Sequence, residues 1–201
     1  MSIYIIIITC AVSIAAFAIQ PLMLRCQLNA WATVRHREYY RVFTYAFLHA
    51  DWMHLLVNMF VLWSFGSGII YSFNNVFTGN NEVRFVLLYF SAIPVSAAYS
   101  VYKHRDNPQY NAVGASGAVS AIVYVTIFLN PYDMLALWGI PIPGIVFGIV
   151  YLIYSGIMAR RNVDNIGHDA HLCGAVYGFI FPAFFEPSLF VRFVKQLFFL
   201  N

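Results

Sequence analysis

Long apolar runs alternate with short polar stretches along nearly the whole chain, and six of them approach the length of a membrane-crossing helix. Such a helix needs about 20 mostly apolar residues, with about 17–25 tolerated. The first run extends from Ile3 to Ile19 and stops at Gln20-Pro21. The second is Trp52 to Phe73, the third Phe85 to Tyr102 and the fourth Ala112 to Leu129. In the fifth, Pro141, Pro143 and Gly144 interrupt the run MLALWGIPIPGIVFGIVYLIYSGIM. Proline is best tolerated in the first helical turn, so this helix is predicted from Pro143 to Met158, after a non-helical, partly buried approach. The sixth runs from Ala170 to Phe185 and ends at Glu186-Pro187. The pattern predicts an all-α, polytopic membrane protein with six transmembrane helices, residues 1–201 forming one domain.

The connection between the first two runs, residues 21–51, is the long one. It mixes apolar residues with Trp31, Tyr39, Tyr40, Arg35, Arg37 and Arg41. Aromatic rings together with arginines suit the headgroup region, so this loop is expected to lie in the membrane interface. The first run lacks a basic flank and an A-x-A-type cleavage site, so it reads as a retained helix.

Composition agrees. Of 201 residues 61% are hydrophobic and only 9% charged, against about 25% charged in an ordinary soluble domain. Eleven Lys/Arg against eight Asp/Glu, scattered, give no basic patch for nucleic acid. Cys10, Cys26 and Cys173 are too few and too dispersed for a disulfide framework or a zinc cluster, and neither a metal site nor a cofactor motif is evident. Loops one, three and five carry eight Lys/Arg and the opposite side three, so the charge rule alone places those loops in the cytoplasm.

Polar residues inside the spans are the informative ones, because each is costly unless paired or used. Asp51, Arg84, Asp133, Asp169 and Glu186 all fall near span ends, which weighs against a proton-coupled carrier. Segments two, four and six begin on one side of the membrane. His54 and Asn58 lie one to two turns into segment two, Ser116 opens segment four, and His171 is in the first turn of segment six. At ~1.5 Å per residue all four fall within roughly 5–10 Å of one face. A serine, a histidine and a His/Asn pair at one depth are what a serine hydrolase needs: nucleophile, base and oxyanion donors.

Local sequence supports this. Gly114-Ala115-Ser116-Gly117 puts glycines around the serine, where a sharp turn and a close substrate approach are needed. Gly174 and Gly178 have the spacing that lets two helices pack closely; if the neighbour is segment four, His171 is held against Ser116. Ser91, Ser96 and Ser155 are expected to bond back to their own helices. The second glycine-flanked serine, Gly66-Ser67-Gly68, reads as helix packing. His36, His104 and His168 read as structural or interfacial, His168 nearer water than His171. Asp169 points away from the pair.

Three separated stretches together resemble the rhomboid intramembrane serine proteases. His49, His54 and Asn58 resemble that family's H-x4-H-x3-N, Gly114 to Gly117 its G-x-S-G, and Ala170-His171 with Gly174 and Gly178 its A-H-x-x-G-x3-G. Arg41, after Tyr40, resembles the arginine of its first-loop W-R element. The resemblance implies Ser116 as nucleophile, His171 as general base, and Asn58, His54 and the Ser116 N–H as the oxyanion hole. Gly114 and Gly117 would shape the nucleophile loop, and His49 would be structural. It implies single-span transmembrane proteins as substrates within the lipid bilayer, no cofactor, and a cell-membrane location. Access is expected to be lateral, between segments two and five, and the glycine- and proline-rich start of segment five makes it the expected mover. The family's usual orientation turns loops one, three and five outward, against the charge count. The family usually has an aromatic residue four after the nucleophile, stacked on the histidine; here that position is Ser120, and Tyr124 or Tyr177 is expected to substitute. A catalytically inactive, client-binding relative is the alternative, argued against by the intact Ser116, His171 and Asn58. A small transporter is disfavoured by the lack of intramembrane charge and of an internal repeat.

Overall fold

The structure, a computed structural model, describes residues 1–137, 140–161 and 167–199. Helix α1 (Ser2–Ala18) is followed by three short helices, α2 (Gln20–Cys26), α3 (Ala30–Arg35) and α4 (Arg41–Thr44), and by a 3-10 turn at Tyr45–Phe47. Then come α5 (Trp52–Asn74), α6 (Asn81–His104), α7 (Ser116–Leu129), α8 (Gly144–Arg161), α9 (His168–Phe185) and α10 (Ser188–Leu197). The six apolar runs thus correspond to α1, α5, α6, α7, α8 and α9. Two small antiparallel ladders join them: β1 (Leu28–Asn29) with β2 (Asn111–Ala112), and β3 (Met134–Leu137) with β4 (Ile140–Pro143). The protein is therefore mostly helical rather than all-α, and the approach to α8 is a β-ladder.

Among the described residues, α5, α6 and α8 are long and apolar enough to cross a membrane by themselves. α1 and α7 are apolar but have only 17 and 14 residues, and α9 opens on His168, Asp169 and His171. The shortness of α7 follows from its place. Every residue of it except Ser116 and Thr126 is buried, so it is the central helix and meets protein on all sides instead of lipid. The outer helices show the complement, with Ile7 and Ile8 of α1, Leu56 and Phe60 of α5, and Ile149 and Ile153 of α8 exposed. An apolar surface of that extent marks a protein solvated by lipid.

Lipid tails are as apolar as leucine, so the bundle gains little from burying more of it and is held by close packing. α7 and α9 meet at glycines. A Cβ on Gly174 would lie 2.0 Å from the Gly117 carbonyl oxygen, and one on Gly178 2.1 Å from that of Ala121. Gly66 does the same for α5 against α1, where a Cβ would lie 2.6 Å from the Ser2 Cβ. Ser91 and Ser96 bond back to Leu87 and Ala92 as expected, whereas the buried Ser155 hydroxyl makes no such bond to its own helix.

The first loop is a folded layer. Asn29 caps α3 by accepting from the Ala32 N–H at 2.7 Å, and its amide donates to the carbonyls of Pro108 and Tyr110. The β1–β2 ladder ties this layer to the stretch that leads into α7. Arg41 is buried and donates to the carbonyls of Leu24 (2.9 Å) and Gln27 (2.8 Å) and to Glu38. Its guanidinium holds the Glu38 carboxyl below the usual range. The C-terminal helix α10 has no counterpart among the predicted elements. Leu189 and Phe193, four residues apart, form its buried stripe, and Phe193 stacks on Phe128 at the end of α7.

Candidate active site

The residues that sequence reasoning singled out converge. Asp51 caps α5 by accepting from the His54 N–H at 2.8 Å, which fixes where the helix begins and so the level of His54 and Asn58. The Asn58 amide donates to the His54 carbonyl at 2.9 Å, leaving its second N–H proton for another acceptor. Gly114 has φ +128 and its N–H donates to the Tyr45 carbonyl at 3.0 Å. A Cβ there would lie 2.7 and 2.8 Å from Cε1 and Nε2 of His54, so both backbone and space require glycine. A Cβ on Gly117 would lie 2.5 Å from that of Ser96. This brings α7 onto α6 and α9 and sets Ser116 at the helix start.

His171 Nε2 lies 2.7 Å from Ser116 Oγ. Both line a cavity of about 600 Å³ with His54, Asn58, Ser120 and Tyr151, walled by α5 on one side and α8 on the other. Asp169 turns away and pairs with Lys103 at 2.7 Å. His168 corrects an expectation: it is buried, not nearer water, and packs edge-on against Tyr154 and His171.

The ring beside His171 is a second correction. Tyr124 instead donates to the Gly148 carbonyl and Tyr177 pairs with Ser91. The ring offset-stacked on His171 is Tyr151 of α8, centroids 6.1 Å apart and planes 25° apart, its phenol 2.8 Å from Ser120 Oγ. The signal was present in the sequence. Gly144, Gly148, Tyr151 and Ser155 recur every three or four residues, the stripe that turns α8 toward its neighbours.

His49 supports the site from behind. Ser13 donates its one hydroxyl proton to the Phe47 carbonyl at 2.8 Å, so in the 2.9 Å contact with His49 Nδ1 the imidazole is the donor. His49 meets His54 edge-to-face with centroids 4.9 Å apart. Burial, with His54 adjacent, pushes its pKa down to about 3. An unfolded histidine takes up its proton near pH 6.5, so below that the unfolded chain binds more protons and stability falls as pH drops. The thermal midpoint of detergent-solubilised protein should fall between pH 7.5 and 5.5, and less steeply in His49→Gln.

The rhomboid domain description matches residues 36–187, more than half of the chain. The chain belongs to the rhomboid family. Similar rhomboids include RHOMBOID-like protein 12, mitochondrial, of Arabidopsis thaliana, 30% identical over 148 residues that cover 66% of this chain and 42% of the relative. Rhomboid-related protein 1 of Caenorhabditis elegans is 27% identical, covering 72% and 39%. The mouse presenilin-associated rhomboid-like protein, mitochondrial, is 30% identical, covering 66% and 34%. This rhomboid chain spans less than half the length of these relatives.

Proposed function

We propose that the protein is an intramembrane serine endopeptidase that cleaves single-span membrane proteins with Ser116 and His171. The observation that carries this reading is the 2.7 Å contact between His171 Nε2 and Ser116 Oγ on the wall of a cavity that also presents Asn58 and His54. In the proposed reaction Ser116 Oγ attacks the scissile carbonyl carbon and its proton passes to His171 Nε2. Negative charge collects on the carbonyl oxygen, for which the free Asn58 amide proton, the His54 ring and the Ser116 backbone N–H are the donors. Collapse breaks the C–N bond, and the departing amine takes the proton from His171. Water then repeats the sequence on the ester and restores Ser116.

All six long helices cross the membrane in this reading, α1, α7 and α9 being shorter or more polar because protein neighbours replace lipid around parts of them. A substrate helix hides its carbonyls in i→i−4 bonds, so it must unwind locally, and glycine or proline near the cut should help. The cell membrane remains the proposed location; recovery of the protein only in mitochondrial membranes would refute it. The test is cleavage of a single-span reporter by detergent-purified protein, with fluorophosphonate labelling of Ser116 alongside. Cleavage and labelling support the reading. Failure of both would favour a client-binding relative without activity. Asn58→Ala should cut the cleavage rate by about 10²–10³-fold, the usual cost of one oxyanion donor.

A further inference from the structure

The ring that supports His171 belongs to a helix that forms a wall of the cavity. Ser120 lies one turn beyond Ser116 on the same face of α7, and it contributes only a hydroxyl. That hydroxyl holds the Tyr151 phenol at 2.8 Å, and the Tyr151 ring, reaching across from α8, packs offset beside the imidazole. α8 is the less firmly seated of the two walls. Its buried residues among those described are Gly144, Gly148 and Ser155, whereas α5 buries Leu55, Met59, Leu62, Ile69 and Phe73. A substrate that enters sideways from the lipid passes between α5 and α8, the two walls of the cavity, and α8 has the fewer anchors.

Taking the serine protease reading as given, we infer that Tyr151 is the positioning residue of His171, so that the base is aligned only while α8 is seated against α7. When α8 moves out, the ring leaves with it, and His171 loses the surface that fixes its plane relative to Ser116. Substrate admission and alignment of the base then alternate. A ring borne on α7 would stay with the dyad, whereas this chain places the ring on the movable wall.

The experiment is the rate of fluorophosphonate labelling of Ser116 in the detergent-purified full chain, with the thermal midpoint of each variant recorded. Tyr151→Ala should slow labelling by about 10–100-fold, as expected for a reacting group misplaced by up to an ångström. Tyr151→Phe keeps the ring and should keep most of the rate. Tyr151→Ala with Ser120→Phe returns a ring from α7 into the vacated space and should recover to within a few-fold of wild type. Gly148→Leu levers α8 from α7, because a Cβ there already lies 3.2 Å from Ile127 Cδ1. It should slow labelling in the wild-type background and leave the doubly substituted chain little changed. Wild-type labelling in Tyr151→Ala, or a doubly substituted chain no faster than Tyr151→Ala alone, would overturn the inference. A wild-type protein that does not label would instead overturn the protease reading, and this inference with it.

Discussion

Ser116→Ala and His171→Ala should each abolish cleavage of a single-span reporter and fluorophosphonate labelling, with losses of similar size. The two side chains act as one unit: Oγ is a weak nucleophile at its ordinary pKa, and Nε2, 2.7 Å away, is the acceptor that lets it attack. Removing either partner of such a pair in a soluble serine protease costs on the order of 10⁶-fold in turnover, and removing both costs little more. The double variant should therefore be no slower than the single ones. Both side chains face the cavity, so the thermal midpoints of the variants should stay close to wild type. Cleavage that survives Ser116→Ala would place the nucleophile elsewhere and end the proposal.

Gly178→Ala should damage the fold more than any change at the reacting groups. The added Cβ would lie 2.1 Å from the Ala121 carbonyl oxygen and 2.5 Å from its Cα, which is backbone and has no rotamer to escape into. α7 and α9 would have to separate, and with them Ser116 and His171. Overpacking a tight core typically costs about 1–3 kcal/mol, and a clash with rigid backbone belongs at or above the upper end. The expected result is a much reduced yield of folded protein and a lowered thermal midpoint in detergent. Gly156→Ala is the control on the same chemistry, since no atom lies within 4 Å of its Cβ position. It should be neutral or stabilising by up to about 1 kcal/mol, the difference in helix propensity. Equal behaviour of the two variants would show that the glycine contact is not what holds the helices together.

The apolar runs located all six long helices to within a few residues, because bilayer-length hydrophobicity is a signal of composition more than of packing. Spacing within those helices was enough to bring Ser116, His171, His54 and Asn58 to one cavity. Where tertiary neighbours decide, the sequence was less legible. α7 measures only 14 residues because it is enclosed by protein, and hydropathy does not distinguish a lipid neighbour from a phenylalanine. The short helices of the first loop rest on bonds between separated stretches of that loop, such as those of Arg41 to Leu24 and Gln27, which no local pattern encodes. Glu186-Pro187 marked the end of α9 correctly, but the Leu189–Phe193 pair that seats α10 beyond it was passed over. The Gly144–Gly148–Tyr151–Ser155 stripe turns Tyr151 inward, but which histidine its ring serves is set by the packing of α7, α8 and α9.

Under the proposed reaction, the brevity of α7 also bears on how long the acyl intermediate lives. Fourteen residues rise about 21 Å, some 9 Å less than a hydrocarbon core about 30 Å thick; in the proposed six-span reading the recessed end is the one at Ser116. A polypeptide that occupies the cavity displaces water from it. Acylation consumes no water, but release of the acyl group does. The second half of the cycle has to wait for the amine product to leave and the cavity to refill. Pre-steady-state cleavage should therefore show a burst of the amine-side fragment equal to the enzyme present, followed by slow turnover that quickens when detergent loosens the access of water.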